Sequence, residues 1–429
     1  MIQMVLEIKK QIYDNVHGYI GLTEVELKVV NSPLFQRLKN IMMLGTVNFV
    51  YPGATNSRFE HSLGTMFMMD QFISHVRVNG HILADDNDIV QKLRLAALLH
   101  DIGHYPLSHT TEHVIMRRLG GRSHEEFGSA LIGGFLEDIL SSYRIGEITD
   151  MISGKGSGDL GMLISSAFDA DKADYLLRDA YHTGVGYGNV GIQRLIRIAS
   201  FERGRIVFDK DEAAVESFLL GRYHMFRSVY HHKTSTAFEL MIQRIFEKLV
   251  GEGEMKNPKD LISSMDEMEI FVYDDHALYS AMHRYMENGK NGFLKDLVRM
   301  FLLRKPVSIA YINPLPQDGE DMSEENRKIN EMTYDDSKLR SFAESAGVNE
   351  WEWIFPAYLR PLGIIDDKSP IYIRDSGSVS NILKSNGLIM QMIGKKKLYD
   401  ARIYVHPKYK SKLSKATSGM LGGDPDGVS

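Results

Sequence analysis

Between Glu24 and about Val250, apolar residues recur at three- and four-residue spacings, broken by glycine-rich or polar stretches, so this part of the chain reads as successive amphipathic helices. The clearest runs are LRLAALLH, from Leu93 to His100, and EAAVESFLLGRYHMFRSVYHHKTSTAFELMIQRIFEKLV, from Glu212 to Val250. Gly221 and the β-branched residues near Thr234 are the places where the second run is expected to bend or break. RIVFD, Arg205 to Asp209, reads as a strand or hairpin edge.

After about Lys305 the period changes. Val307 to Ile312, Pro370 to Asp375 and Asp400 to His406 are β-branched, aromatic and partly alternating, and are expected to form one small sheet. PQDGEDMSEENRKINE is polar and acidic, as in a surface loop or an exposed helix start. The tail from Ser411 has little to pack and is expected to be disordered. The pattern implies a mainly α protein. A helical core over residues 1–250 is followed by a smaller α+β region over 251–410 and a tail over 411–429. No fixed-period repeat is visible.

Composition narrows the chemistry more than the fold. With 429 residues, 43% apolar and 25% charged, the chain can bury a large core, and two domains are expected. A net charge of -6 and a pI near 6.3 weigh against a surface built to hold nucleic acid, while leaving room for a local basic pocket. No apolar stretch approaches the ~20 residues that cross a bilayer, and the N-terminal segment carries charges too early for a secretory leader, so a cytoplasmic protein without membrane partners is expected. The absence of cysteine removes disulfides, thiolate zinc sites and a cysteine nucleophile. Any metal must be held by His, Asp, Glu or water.

LRLAALLHDIGHYPLSH places ionisable groups against apparent core. On a helix, His100 continues the stripe of Leu93, Ala96 and Ala97, and His104 follows four residues on. A buried histidine needs a hydrogen-bond partner or a metal, and a buried aspartate needs a cation, so His100 and Asp101 form a natural metal-binding pair. Other stretches add to it: His61 in NSRFEHSLG, His124 in SHEEFGS, and Asp169, Asp171 and Asp174 beside Lys172, Tyr175 and Arg178 in AFDADKADYLLRDAYHTG. Asp169 and Asp171 would point about 200 degrees apart on a helix, so only one can face a shared ion.

The order His61, His100-Asp101, Asp171 resembles the signature of the HD-domain phosphohydrolases. FQRLKNIMMLG, YPGATNSRFEHSLG, LLHDIGHYPLSH, SHEEFGS, DADKADYLLRDAYHTG and RYHMFRSVYHHK are similar to the branch containing the deoxynucleoside triphosphate (dNTP) triphosphohydrolases, over roughly Tyr13 to Val250. Beyond that span the likeness is loose, chiefly LYDARIYVH.

The resemblance implies a helical metalloenzyme with His61, His100, Asp101 and Asp171 as ligands to a divalent ion, with Mn, Mg, Fe, Ni and Zn all compatible. By the same resemblance, His104, His109 and His124 line the phosphates and serve acid–base roles, and Glu112, where relatives commonly have Asp, orients His109. Arg58, Lys172, Tyr175 and Arg222 would hold a nucleoside triphosphate, Tyr230 would pack on the sugar and Asp179 would bond its 3′-hydroxyl. The implied reaction converts a dNTP to deoxynucleoside and inorganic triphosphate in a dimer or tetramer, either under the control of a regulatory nucleotide or constitutively. Roles in dNTP-pool control or phage defence are compatible with it.

Two departures stand out. Met43 replaces a glutamine that helps read the sugar. In NSPLFQRLK, Gln36 and Arg37 are kept, but Asn31 and Lys39 replace the aspartate and arginine of relatives that bind a guanine activator. The alternatives are an HD phosphohydrolase acting on a ribonucleotide, a nucleoside monophosphate, a cyclic nucleotide or single-stranded nucleic acid, and a nucleotide-binding regulator without catalysis.

Overall fold

A computed structural model of the chain describes residues 6–83, 86–155, 159–313, 316–318, 323–362, 370–384 and 396–421. Helices dominate, as the apolar spacing requires. At the centre the helix Arg58–His75 packs against Asn87–Leu99 and Ala170–Thr183. Each of the three begins where a polar side chain accepts hydrogen bonds from otherwise unpaired backbone N–H groups. Ser57 and Glu60 form a reciprocal capping box, while Asp86 and Asp169 cap the other two. The caps fix where the chemistry begins, because Arg58, His61 and Asp171 all lie in first turns.

The long run after Glu212 is interrupted, though not at Gly221. Helix Glu212–Met225 passes into a wide π-turn at Phe226–Tyr230, and His232 caps a new helix, Lys233–Gly251. A wide turn of this kind re-aims the side chains that follow it and is frequent at functional sites.

Arg205–Asp209 is an interior strand rather than an edge. It pairs antiparallel with Ala199–Glu202 and parallel with Ile371–Asp375, inside a six-stranded sheet. The single C-terminal sheet expected from sequence is therefore split. Ser308–Asn313 and Ile354–Leu362 each pair with Lys396–Val405, whereas Ile371–Asp375 joins the core sheet. The acidic segment contributes the strand Pro316–Asp318 and, after a Ser323 cap, the helix Glu324–Tyr334, which buries Ile329.

The main apolar core does not stop at Val250. It takes in Leu261, Leu278, Leu294 and Phe301 from the following helices and Ile371 and Ile373 from the returning strand. A smaller cluster around Ala310, Ile329, Leu339, Ile403 and Leu413 forms the second lobe. The expectation of a disordered tail is corrected in part. Lys410–Leu421 is a helix, because Leu413 and Thr417 find cover against the second sheet. Residues 422–429 lie outside the described residues.

Candidate metal centre and phosphate cavity

Helix Asn87–Leu99 ends at His100, and Asp101 to Gly103 form the turn that follows. Gly103 is required there: a Cβ would lie 2.1 Å from the His124 carbonyl oxygen, so the turn can cross the helix His124–Phe135 only without a side chain. Leu107 and Ser108 both adopt positive φ, +57° and +56°, a strained conformation for residues with side chains. Two interactions hold them. The Asp275 carboxylate accepts from the Leu107 and Met42 N–H groups (2.6 and 2.9 Å), and Ser108 Oγ donates to the Met42 carbonyl (2.7 Å). His109, directly after the strained pair, then opens the helix His109–Arg118.

His61, His100, Asp101 and Asp171 converge. His61 Nε2 lies 3.2 Å from His100 Nε2, 3.4 Å from Asp101 Oδ2 and 3.1 Å from Asp171 Oδ1. His100 Nε2 is 3.3 Å from Asp101 Oδ1 and 3.7 Å from Asp171 Oδ1. Both imidazoles are pinned from behind: His61 Nδ1 is 2.8 Å from Asp174 Oδ2 and His100 Nδ1 is 2.8 Å from the Ala97 carbonyl. With Nδ1 of each ring turned to its partner, the two Nε2 atoms face one another and two carboxylates, an arrangement that suits a bound cation.

The electrostatics agree. Burial alone would pull the His61 imidazolium down, but hydrogen bonds to Asp171 and Asp174 and the charge of Asp101 outweigh it and push its pKa up to about 10. Burial would raise Asp101, yet the Arg58, His100 and His104 charges hold it well below the usual carboxylate range. Asp171 is also held low, its burial overcome by hydrogen bonds from His100 and His61. This donor set fits a divalent ion of the Mn, Fe, Ni, Zn or Mg class. Asp169 is excluded as the alternative ligand, since it accepts from the Lys172 and Ser166 N–H groups and pairs with Lys172 Nζ at 3.0 Å.

A second cluster stands beside the first. Glu112 receives His109 Nδ1 at 2.8 Å and His124 Nδ1 at 2.7 Å, one on each oxygen. His104 stacks on His124 with ring centroids 4.1 Å apart and reaches Asp101 Oδ1 with Nε2 at 3.1 Å, so it joins the clusters. Burial, with the Arg58 and His124 charges, holds His104 well below an ordinary histidine. The protein mass around His109 also lowers it, against the hydrogen bond to Glu112. Although Glu112 is buried, its two histidine partners drive its pKa far down.

A cavity of about 470 Å³ opens onto both clusters. Arg58, His100, Asp101, His109, His124, Asp171, Lys172, Tyr175, Asp179 and Tyr230 line it, with Met43 on the same wall. His61, His104 and Glu112 lie behind the lining rather than on it. Arg58 donates to Asp101 and, at 2.9 Å, to Ser108 Oγ, so it holds the Asp101 carboxylate as well as facing the cavity. Arg222 is not on the cavity wall, but its charge acts on Lys172 and Tyr175, and its buried Nη1 has no hydrogen-bond partner among the described residues.

Asp179 accepts from the Tyr230 hydroxyl at 2.8 Å and from Asn56 Nδ2 at 3.3 Å. Burial outweighs these bonds and lifts its pKa to about 6. Arg37 is buried and spends its guanidinium on the Tyr273 and Ile102 carbonyls (3.1 and 2.9 Å), and Gln36 binds the Val30 carbonyl and Lys39.

Sequence reading named Asp174 without giving it a role, and missed Asp275, Asn56, Ser108 and Glu239. Asp174 carried a signal, being three residues after Asp171 and four before Arg178 on one helical face. Asp275 carried none. Glu239 lines the cavity, and burial lifts it to about 7.

The comparisons with known proteins can be set against this geometry. The HD domain family model matches residues 58–179, and the HD associated region matches residues 190–345. An uncharacterised protein of Methanocaldococcus jannaschii is 32% identical over 375 residues, covering 86% of this chain and 73% of that protein. The deoxynucleoside triphosphate triphosphohydrolase SAMHD1 homolog of Dictyostelium discoideum is 29% identical over 279 residues, 60% of this chain and 54% of its own length. Among solved structures, a phosphohydrolase of Bacteroides thetaiotaomicron superposes with a TM-score of 0.73 at 25% identity, covering 92% of this chain and 99% of that one. Among the described residues no helix is long and apolar enough to cross a membrane.

Proposed function

The chain belongs to the HD-domain family of metal-dependent phosphohydrolases, and from that premise we propose that it is a dNTP triphosphohydrolase. The observation that carries this reading is the Asp179–Tyr230 pair on the same cavity as the His61, His100, Asp101 and Asp171 cradle. A hydroxyl-binding carboxylate beside a phosphate-binding centre suits a nucleotide better than a simple phosphoester.

When bound, a divalent ion in the cradle supplies Lewis acidity toward water and the phosphoryl oxygen. Lys172, Arg58 and Arg222 supply positive charge to the triphosphate. His109, with Nδ1–H committed to Glu112, presents Nε2 as a neutral base. It takes a proton from water as the water oxygen bonds to the α-phosphorus, and returns it to the 5′-oxygen as the phosphorus–oxygen bond breaks. The products are a deoxynucleoside and inorganic triphosphate. Asp179 accepts the 3′-hydroxyl, with Tyr230 holding the carboxylate in place and Tyr175 closing the sugar side. A homo-oligomer and a regulatory nucleotide belong to the same proposal.

Met43 on the cavity wall favours a second reading, in which ribonucleotides are accepted too, because a thioether cannot donate to a sugar hydroxyl. Incubating the protein with each dNTP and rNTP plus Mn or Mg, and resolving products by ion exchange, tests both. Deoxynucleoside plus intact triphosphate, lost in a His100→Ala, Asp101→Ala double variant, is the expected result. Equal turnover of rNTPs would select the second reading, and orthophosphate as the first product would overturn both.

A further inference from the structure

The metal cradle is supported from an unexpected quarter. Lys10–Asp14 and Gly18–Leu22 form an antiparallel hairpin whose Ile20 and Leu22 are anchored in the core, while Tyr13 and Tyr19 remain exposed. The hairpin tip sends His17 inward. Its Nε2 lies 2.6 Å from Asp174 Oδ1, and its ring stacks on Phe67 with centroids 4.8 Å apart.

Asp174 is the residue that pins His61. Its Oδ2 takes His61 Nδ1 at 2.8 Å and Arg178 Nε at 2.9 Å, and its Oδ1 takes His17 Nε2 and Arg178 Nη2 at 3.0 Å. With four donors on two oxygens, the carboxylate has no lone-pair site left and no freedom to rotate. The hairpin also holds the far side of Arg178, through Asp14 Oδ2 at 2.9 Å and Oδ1 at 3.2 Å. Asp14 Oδ1 in turn accepts the Val16 and His17 N–H groups at 2.9 Å each, which shapes the tip.

These side chains are almost fully buried, His17 at 5% and Asp14 at 3% exposure, with Asp174 and Arg178 at 0%. Space for the junction is made by Gly64, where a Cβ would lie 1.9 Å from Asp174 Oδ1 and 2.3 Å from Arg178 Nη2.

We infer that His17 and Asp14 of the N-terminal hairpin are positioning residues of the metal centre, acting through Asp174 to fix the His61 ring, so that metal retention depends on the docked hairpin. The inference rests on the metal centre described above. An imidazole ligand is oriented by the group that accepts its other N–H, and loss of such a partner typically weakens metal binding by about 10–100-fold. Here the accepting group is itself oriented by a segment far away in sequence. The hairpin therefore connects the cradle to the protein surface, since Tyr13 and Tyr19 form its outer face.

The test measures Mn²⁺ affinity of the full-length protein by competition with a fluorescent chelator, together with the melting temperature of the metal-free protein. His17→Gln keeps an N–H for Asp174. His17→Phe keeps the stacking on Phe67 without a donor. The expected result is Mn²⁺ binding weakened about tenfold or more in His17→Phe and within about threefold of wild type in His17→Gln, with similar metal-free melting temperatures. Tyr13→Ser with Tyr19→Ser alters only the outer face and is expected to leave affinity unchanged. Equal affinities for His17→Phe and His17→Gln would overturn the inference. Wild-type protein that binds no Mn²⁺, Fe²⁺ or Zn²⁺ would instead overturn the metal centre itself.

Discussion

Two histidine clusters lie side by side on one cavity, and both contain groupings of the size that could hold an ion. Their wiring separates them. In the first, His61 and His100 turn Nδ1 outward to Asp174 and the Ala97 carbonyl, and leave Nε2 facing Asp101 and Asp171. In the second, His109 and His124 turn Nδ1 inward onto the one carboxylate, Glu112, so the atoms nearest each other already share protons. The first is an anionic hole that calls for a cation. The second is a set of imidazoles backed by a carboxylate, suited to moving protons. The same residue types do different work according to which ring nitrogen faces the centre.

That contrast can be broken most severely at the cradle. His100→Ala with Asp101→Ala removes two ligands and leaves Arg58 without its carboxylate. Activity is expected to vanish, and so is bound metal in elemental analysis. Retained metal would mean that the second cluster is the metal site. Next in size, His109→Gln is expected to lower kcat by about 10²–10⁴-fold with metal content unchanged. Metal loss in this variant would erase the distinction between the clusters.

Asp275→Ala probes what holds the second cluster in register with the first. It leaves the Met42 and Leu107 N–H groups unpaired, at roughly 1–3 kcal/mol each. Chemical denaturation should show that loss, and kcat should fall while Mn²⁺ affinity holds, because Leu107 leads into His109 and not into the cradle.

The smallest effect concerns Asp179. Its native pKa of about 6 lies above the value of an unfolded aspartate, about 3.9, so the native state binds the extra proton between those limits. Its contribution to stability is present below about pH 4 and is lost as pH rises through 6. Asp179→Asn should therefore melt higher than wild type at pH 7.5 and no higher at pH 4. If the carboxylate receives the sugar hydroxyl, wild-type kcat/KM should also fall as pH drops through about 6, with a flatter acid limb in the variant. A steep acid limb in Asp179→Asn would assign that titration to the histidines instead.

Much of the site was legible because its residues sit in short words with local reasons for their spacing. SRFE is a capping box that starts a helix at Arg58 and His61, and Asp169 caps the helix that presents Asp171. That cap also removes Asp169 from the ligand set, which periodicity alone left open. The Phe226–Tyr230 turn was less legible, since nothing local distinguishes a π-turn from a bend at Gly221. The split of the C-terminal strands between two sheets could not be read from alternation. Alternation sets which side of a strand is apolar, not which neighbour it pairs with.

The amino-acid sequence by itself determined the helical character of the core, the exclusion of thiolate chemistry, and the set of histidines and aspartates available to a metal, because periodicity, composition and capping are local properties. Tertiary structure alone decided which nitrogen of His61 faces the centre, that Asp275 locks the strained Leu107–Ser108 corner, and that His17 completes the support of His61. Those outcomes depend on contacts between segments more than a hundred residues apart in the chain. At these three places hydrogen-bond direction is set by the partners that packing delivers, and no local pattern encodes them.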